Sequence, residues 1–156
     1  MIEFRREPFS HLWPEIAALI PGQWNEVGLT MLAGRPDIRP EVDLDLFRSL
    51  DRNGRLRCLA ARDGADLAGY FVGVLRTLPH YRSMLVGSAD TFYLRPDCRG
   101  PRTAVRFFGA AEAMLLEARP RALLLHSKIA LDQGRLFESL GYQPHDRSFI
   151  KFVGDA

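Results

Sequence analysis

The sequence predicts an α/β (α+β) sandwich in which helices cover one mixed sheet. Three observations carry that prediction. Apolar residues recur at helical spacing in the front third, apolar runs separated by a turn dipeptide fill the middle, and strand-like and helix-like segments alternate at the back. A length of 156 residues is enough to bury one core, so residues 1–156 are expected to form a single domain. A hydrophobic share of 47% and an aromatic share of 10% exclude a disordered or collagen-like chain.

Ile2-Glu3-Phe4-Arg5 alternates apolar and polar residues, which predicts a short edge strand before Pro8. Over residues 9–32, Leu12, Ile16, Leu19 and Ile20, then Trp24, Val27 and Met31, follow a helical period interrupted at Pro21-Gly22. The pattern predicts a helix, a turn and a second helical piece. Pro36 and Pro40 mark a loop, and Leu44, Phe47 and Leu50 predict a short helix that ends before Asn53-Gly54. Residues 55–62 and 65–78 read as antiparallel strands around the hairpin dipeptide Asp63-Gly64. Pro79-His80-Tyr81-Arg82-Ser83 interrupts them, and residues 84–94 predict another strand that stops at Arg95-Pro96. Val105, Phe108, Ala111 and Leu115 share one side of a helix expected over 102–118, closed by Pro120. A buried strand over 122–125, a helix over 132–140 stopped by Gly141, and a last strand over 148–153 complete the reading.

The charge sum, 21 − 19 = +2, does not call for a nucleic-acid partner, although 19 of the 21 cations are arginines because Lys128 and Lys151 are the two lysines. A nucleic-acid module using those arginines is the weakest of three functional classes considered. Cys58 and Cys98 stand outside any C-x-x-C spacing, and His11 and His145 lack a ligand spacing, so neither a disulfide framework nor a metal is expected. No signal peptide or spanning segment is read, and the expectation is a cytoplasmic protein of its cell or of a phage-infected host.

The most informative stretch is Tyr93-Leu94-Arg95-Pro96-Asp97-Cys98-Arg99-Gly100-Pro101-Arg102-Thr103-Ala104, a strand that passes through a Pro/Gly turn straight into a helix. The first amides of a helix lack internal acceptors and sit at the positive end of its dipole, and glycine lets a ligand approach the backbone. Arg99, Arg102 and Arg106 add charge at spacings of three and four. Such a turn can hold a phosphate, or it can be a packing feature flanked by solvated arginines.

This stretch resembles the V-x-P-x-x-R-G-x-G-x-G/A signature of the GNAT superfamily, the acyl-CoA-dependent N-acyltransferases. Arg102 stands at the second glycine, and Pro101 removes one amide from the cradle. Arg135-Leu136-Phe137-Glu138-Ser139-Leu140-Gly141-Tyr142 resembles the family's late helix and the strand entry after it, and the resemblance extends over residues 55–153. His80-Tyr81-Arg82-Ser83 and Asp90-Thr91-Phe92-Tyr93-Leu94 look most like phage-associated members.

The resemblance implies a GNAT-like mixed, mostly antiparallel central sheet flanked by helices, acetyl-CoA as cosubstrate, and an acetyl group moved to a primary amine of a small molecule or protein. It implies no nucleic acid and no membrane. Tyr93, Leu94, Arg99, Gly100, Arg102, Thr103, Ala104 and Arg106 would meet the coenzyme. Asp90 is the expected general base or else a residue that positions substrate, and His126, at the end of the run Leu123-Leu124-Leu125, is the second base candidate. His80, Tyr81 and Asp90 are expected on the acceptor side, where Trp24, Val27 and Met31 also fall by resemblance. Phe137 occupies the place where many members carry a proton-donating tyrosine, so Tyr93, Tyr142 or Tyr81 would supply the proton. Backbone amides near Tyr93 and Leu94 would polarise the acyl carbonyl. The rival from another class is a non-catalytic GNAT-fold binding protein, which Arg102 and Phe137 favour.

Overall fold

A computed structural model describes residues 1–28, 37–129 and 131–153. Strands β1 (Glu3–Arg6), β2 (Leu56–Asp63), β3 (Asp66–Leu78), β4 (Tyr81–Leu94) and β5 (Ala122–Leu124) form one sheet in sequential order. The first three pairings are antiparallel and the last, β4 with β5, is parallel. Gly64 makes the β2–β3 hairpin possible, because its φ of 62° lies in the left-handed region that side chains disfavour. The β3–β4 connection is shorter than the sequence suggests: Leu78 pairs with Tyr81, so Pro79 and His80 form the whole loop.

The central strands β2 and β3 and most of β4 bury apolar side chains on both faces, because helices cover both. On one face, Leu59, Ala61, Phe71, Leu75, Ala89 and Leu94 pack with Phe107, Phe108, Ala111, Met114 and Leu115 of α3 (Pro101–Leu116) and with Phe137 of α4 (Gly134–Ser139). On the other, Cys58, Ala60, Tyr70, Val72 and Tyr93 meet Phe9, Leu12 and Ile16 of α1 (Phe9–Gln23), with Leu44, Phe47 and Leu50 of α2 (Leu44–Arg52) alongside. Ala89 and Leu94 are five residues apart yet face the same way, which strict alternation forbids. The register explains it: Thr91 opposes Val72 and Ala89 opposes Gly73, so Asp90 is an extra, bulged residue on β4.

Several sequence expectations shift. Pro21 does not break α1, which runs on to Gln23 and into a π-helical turn (Trp24–Gly28); burial of Leu12 and Ile16 upstream holds the helix while proline removes one hydrogen bond. Met31 and Leu32 of the expected second helical piece lie outside the described residues. Residues 148–153 form no strand among the described residues. Their alternation satisfies the local pattern, but strand formation needs a partner edge, and Phe149, Ile150 and Val153 stay 92%, 64% and 81% exposed. No helix among the described residues is long and apolar enough to cross a membrane.

The front of α1 is anchored by charge. Arg62 on β2 donates through Nε and Nη2 to Glu7 at 3.0 and 2.7 Å, and through Nη1 and Nη2 to Glu15 at 2.7 and 2.9 Å. The Arg62 hydrogen bonds lower the Glu7 pKa below its ordinary value. Removing the guanidinium leaves two carboxylates facing each other, so Arg62→Ala is expected to cost about 2 kcal/mol or more in chemical denaturation. The Glu7 contribution is present above about pH 4.5 and fades as pH falls through the lowered folded-state pKa; acid unfolding of parent and variant should converge there.

Candidate active site

Parallel pairing of β4 with β5 runs from Val86–Ala122 to Ser88–Leu124 and then stops. Past that point Ala89, Asp90, Thr91 and Phe92 on β4 face His126 across a cavity of about 270 Å³. Ile20, Gln23, Trp24 and Val27, from α1 and the π turn, close one side, and Lys128, Leu131 and Gln133 close the other. The strand beside Ser88 has been lost, so backbone groups of β4 that faced β5 open onto this space. The bulge at Asp90 bends β4 where its partner departs.

Asp90 keeps solvent access, but the walls around it desolvate the carboxyl and raise its pKa above the ordinary value. Gln23 ties α1 to the bulged strand: its Nε2 donates to Thr91 Oγ1 at 2.8 Å and to the Phe92 carbonyl at 3.2 Å, and the buried Tyr70 hydroxyl donates to its Oε1. The opposite wall is ordered by Ser127, which donates to Asp132 at 2.9 Å and accepts from the Gln133 amide at 2.7 Å. Asp132 also accepts from the Gly134 amide, and these hydrogen bonds lower its pKa. Sequence reasoning missed Gln23, Thr91, Ser127 and Gln133. An isolated polar residue at the end of an apolar helix carries no periodic signal.

The turn after β4 is a second feature. A 3-10 turn (Pro96–Cys98) leads to Gly100, whose extended backbone starts α3 with Pro101 at its first position. No side chain caps this end, and the first helix-closing bond is the Ala104 amide to the Gly100 carbonyl at 2.8 Å, leaving the amides of Arg102 and Thr103 at an uncapped N-terminus. A Cβ built on Gly100 meets no heavy atom within 4 Å, so the turn is open to a ligand. Arg99 donates to the Leu94 carbonyl and to Glu26, both at 2.7 Å, and Arg102 is exposed. Arg106 lies elsewhere, donating to the Ile2 carbonyl at 3.1 Å and stacking 5.3 Å from the Phe4 ring. These residues therefore suit a phosphate group at Arg99, Gly100, Arg102 and Thr103, while Arg106 braces β1.

The remaining candidates do not converge on Asp90. Tyr93 is buried on the α1 face, so close to Gly22 that a Cβ there would sit 2.9 Å from its hydroxyl; burial first and Glu26 second raise its pKa. Tyr142 donates to Glu112 at 3.1 Å beside Phe137, and burial raises its pKa. Neither tyrosine lines the cavity. His80 and Tyr81 line a separate, open hollow of about 780 Å³ with Arg82, Ser83, Met84 and Arg121. Nine residues of β4 separate Tyr81 from Asp90, roughly 30 Å of strand. Burial pushes the Cys58 thiol up to about 12, which removes it as a nucleophile.

At the level of sequence, no family model matches this chain and no curated protein matches it. Solved structures do match over nearly its whole length. Ribosomal-protein-alanine N-acetyltransferase from Brucella melitensis biovar Abortus 2308 superimposes with a TM-score of 0.69 at 19% identity, covering 99% of this chain and 100% of that one. A predicted acetyltransferase from Clostridium acetobutylicum, solved with acetyl-CoA, gives 0.67 at 15%, covering 97% and 96%. AAC(6')-Iy in complex with the bisubstrate analog CoA-S-monomethyl-acetylneamine gives 0.67 at 12%, covering 99% of both chains. The chain therefore has the mixed, mostly antiparallel fold of the GNAT acetyltransferases.

Folding disfavours the ionised form of Asp90, because its folded-state pKa is raised. Asp90→Asn is accordingly expected to melt at a higher temperature than the parent at pH 7, and the gap should close as pH falls far enough to protonate the parent's carboxyl. A lower melting temperature for the variant at pH 7 would show that Asp90 stabilises the fold as an anion.

Proposed function

We propose that this protein is an N-acetyltransferase that moves an acetyl group from acetyl-CoA directly to a primary amine of a small molecule or protein. One observation carries the reading: the same strand, β4, supplies the opened, bulged wall of the cavity at 89–92 and ends four residues after Asp90, at Leu94, from where the turn over 95–100 leads to an uncapped helix N-terminus. Four residues of strand span about 13 Å. The pyrophosphate would rest against the amides of Gly100, Arg102 and Thr103 with Arg99 beside them, and the thioester arm would enter the gap between β4 and β5. Leu94 and Ala104 border that path.

The acceptor's ammonium, with an ordinary pKa near 10, must lose a proton before nitrogen can attack. Asp90, with its raised pKa, takes it directly or through a water, and His126 on the facing wall is the second base. The carbon–nitrogen bond forms as the carbon–sulfur bond breaks, the surplus proton on the attacking nitrogen passes to the departing thiolate directly or through water, and backbone N–H groups of β4 that face the gap stabilise the oxyanion. A thiolate with an ordinary pKa near 8.5 leaves without strong need of an acid, so burial of Phe137 where many acetyltransferases of this fold carry tyrosine does not stop the reaction. Apolar side chains of Ile20, Trp24 and Val27 favour an acceptor with an apolar body. The reaction belongs to the cytoplasm, and the segments at 80–83 and 90–94 make the protein kin to phage-associated members of the fold.

Arg102, standing where the resembled motif has its second glycine, and the phenylalanine at 137 favour the second reading, a binding protein that has lost turnover. Acetyl-CoA should raise the melting temperature under either reading. Thiol release with a panel of primary amines separates them, because the binder gives none. In that assay Asp90→Asn should lose at least tenfold in turnover, about 1.4 kcal/mol of barrier, with coenzyme affinity kept. Unchanged turnover removes Asp90 from the chemistry. Arg99→Ala should bind CoA several-fold more weakly.

A further inference from the structure

The guanidinium of Arg99 is already engaged. Its Nε donates to the Leu94 carbonyl and its Nη2 to Glu26 Oε2, each at 2.7 Å, and its carbon lies 5.5 Å from the centre of the Tyr93 ring. Glu26 belongs to the π turn, whose Trp24 and Val27 line the cavity. One ion pair thus joins the acceptor-side wall to the turn that opens α3, across 73 residues of chain. The two side chains are 43% and 29% exposed, so solvent screens the pair and an incoming anion can reach it. A diphosphate carries more charge than a carboxylate, suits the guanidinium fork, and gains the uncapped amides of α3 as well.

Resting on the acetyl-CoA reading, we propose that Glu26 is a built-in counter-ion for Arg99 that the coenzyme's diphosphate displaces, so that coenzyme binding unlatches the π turn carrying the acceptor wall. Glu26 then competes with the coenzyme and lowers its affinity. The coupling is reciprocal: an acceptor that draws the π turn away from Arg99 strengthens coenzyme binding, and coenzyme binding adjusts the wall that meets the acceptor. Arg99 and Glu26 act here through the geometry of the site, without touching the reacting atoms.

The test is calorimetric titration of CoA into the full chain as parent, Glu26→Gln, Glu26→Ala, Arg99→Ala and the Glu26→Gln/Arg99→Ala double variant. Both Glu26 variants should bind CoA two- to fivefold more tightly than the parent, the factor expected for freeing a half-exposed ion pair. In the Arg99→Ala background the Glu26 substitution should bring no gain. S-acetylpantetheine, which lacks the diphosphate, should bind parent and Glu26 variants alike. Melting curves check that each variant is folded. If CoA binds the parent and Arg99→Ala weakens it, but both Glu26 variants bind equally or more weakly, the latch is overturned and the anion site stands. If CoA binds none of the folded proteins, the latch and the acetyl-CoA reading fall together.

Discussion

β4 keeps its parallel partner for only three residue pairs, and the candidate site exists because that pairing ends. A strand buried in a sheet has its backbone groups satisfied on both edges; one that loses a neighbour must offer them to water, side chains or a ligand. Here the loss coincides with a bulge at Asp90 that shifts side-chain parity, so that Ala89 and Leu94 both reach the α3 core. The bulge lets β4 serve two ends. Its first half is an ordinary strand, and its second half bends past the cavity while still delivering the chain to the start of α3.

Charge is distributed to match that division. Asp90 is a carboxyl on the cavity wall whose pKa partial desolvation raises. Arg62, far from the cavity, is by contrast fully satisfied by two carboxylates and fixes α1 against β2. Arg99 lies between these extremes, paired yet accessible. The pairing of Glu26 on the π turn with Arg99 ahead of α3 ties a wall of the cavity to the turn that opens the helix.

Much of the scaffold was legible because a sheet covered on both faces writes its central strands as nearly continuous apolar runs, while the helices that cover it keep apolar residues at helical spacing. The Asp63-Gly64 dipeptide marked a real hairpin, and Gly141, with φ of 91°, stands just past the end of α4 as its residue type suggested. Pro21 misled, since packing of α1 outweighs one missing hydrogen bond, and residues 148–153 misled because alternation says nothing of whether an edge is available. Within the candidate site, the family resemblance and a count of four residues back from Leu94 singled out Asp90, and the end of the buried run at 123–125 singled out His126; both line the cavity. Distances between elements remained beyond reach: nothing in the sequence tells that His80 and Tyr81 lie a strand's length from Asp90, or that Arg106, one helical turn beyond Arg102, turns to β1.

The claim that acetyl-CoA lies along the second half of β4 is tested most directly by amide NMR of the full chain during titration with acetyl-CoA. The account predicts the largest shifts at the amides of Ala89 to Phe92 and of Gly100, Arg102 and Thr103. Shifts concentrated instead at residues 80–84 and Arg121, around the open hollow at the far end of the strand, would contradict it.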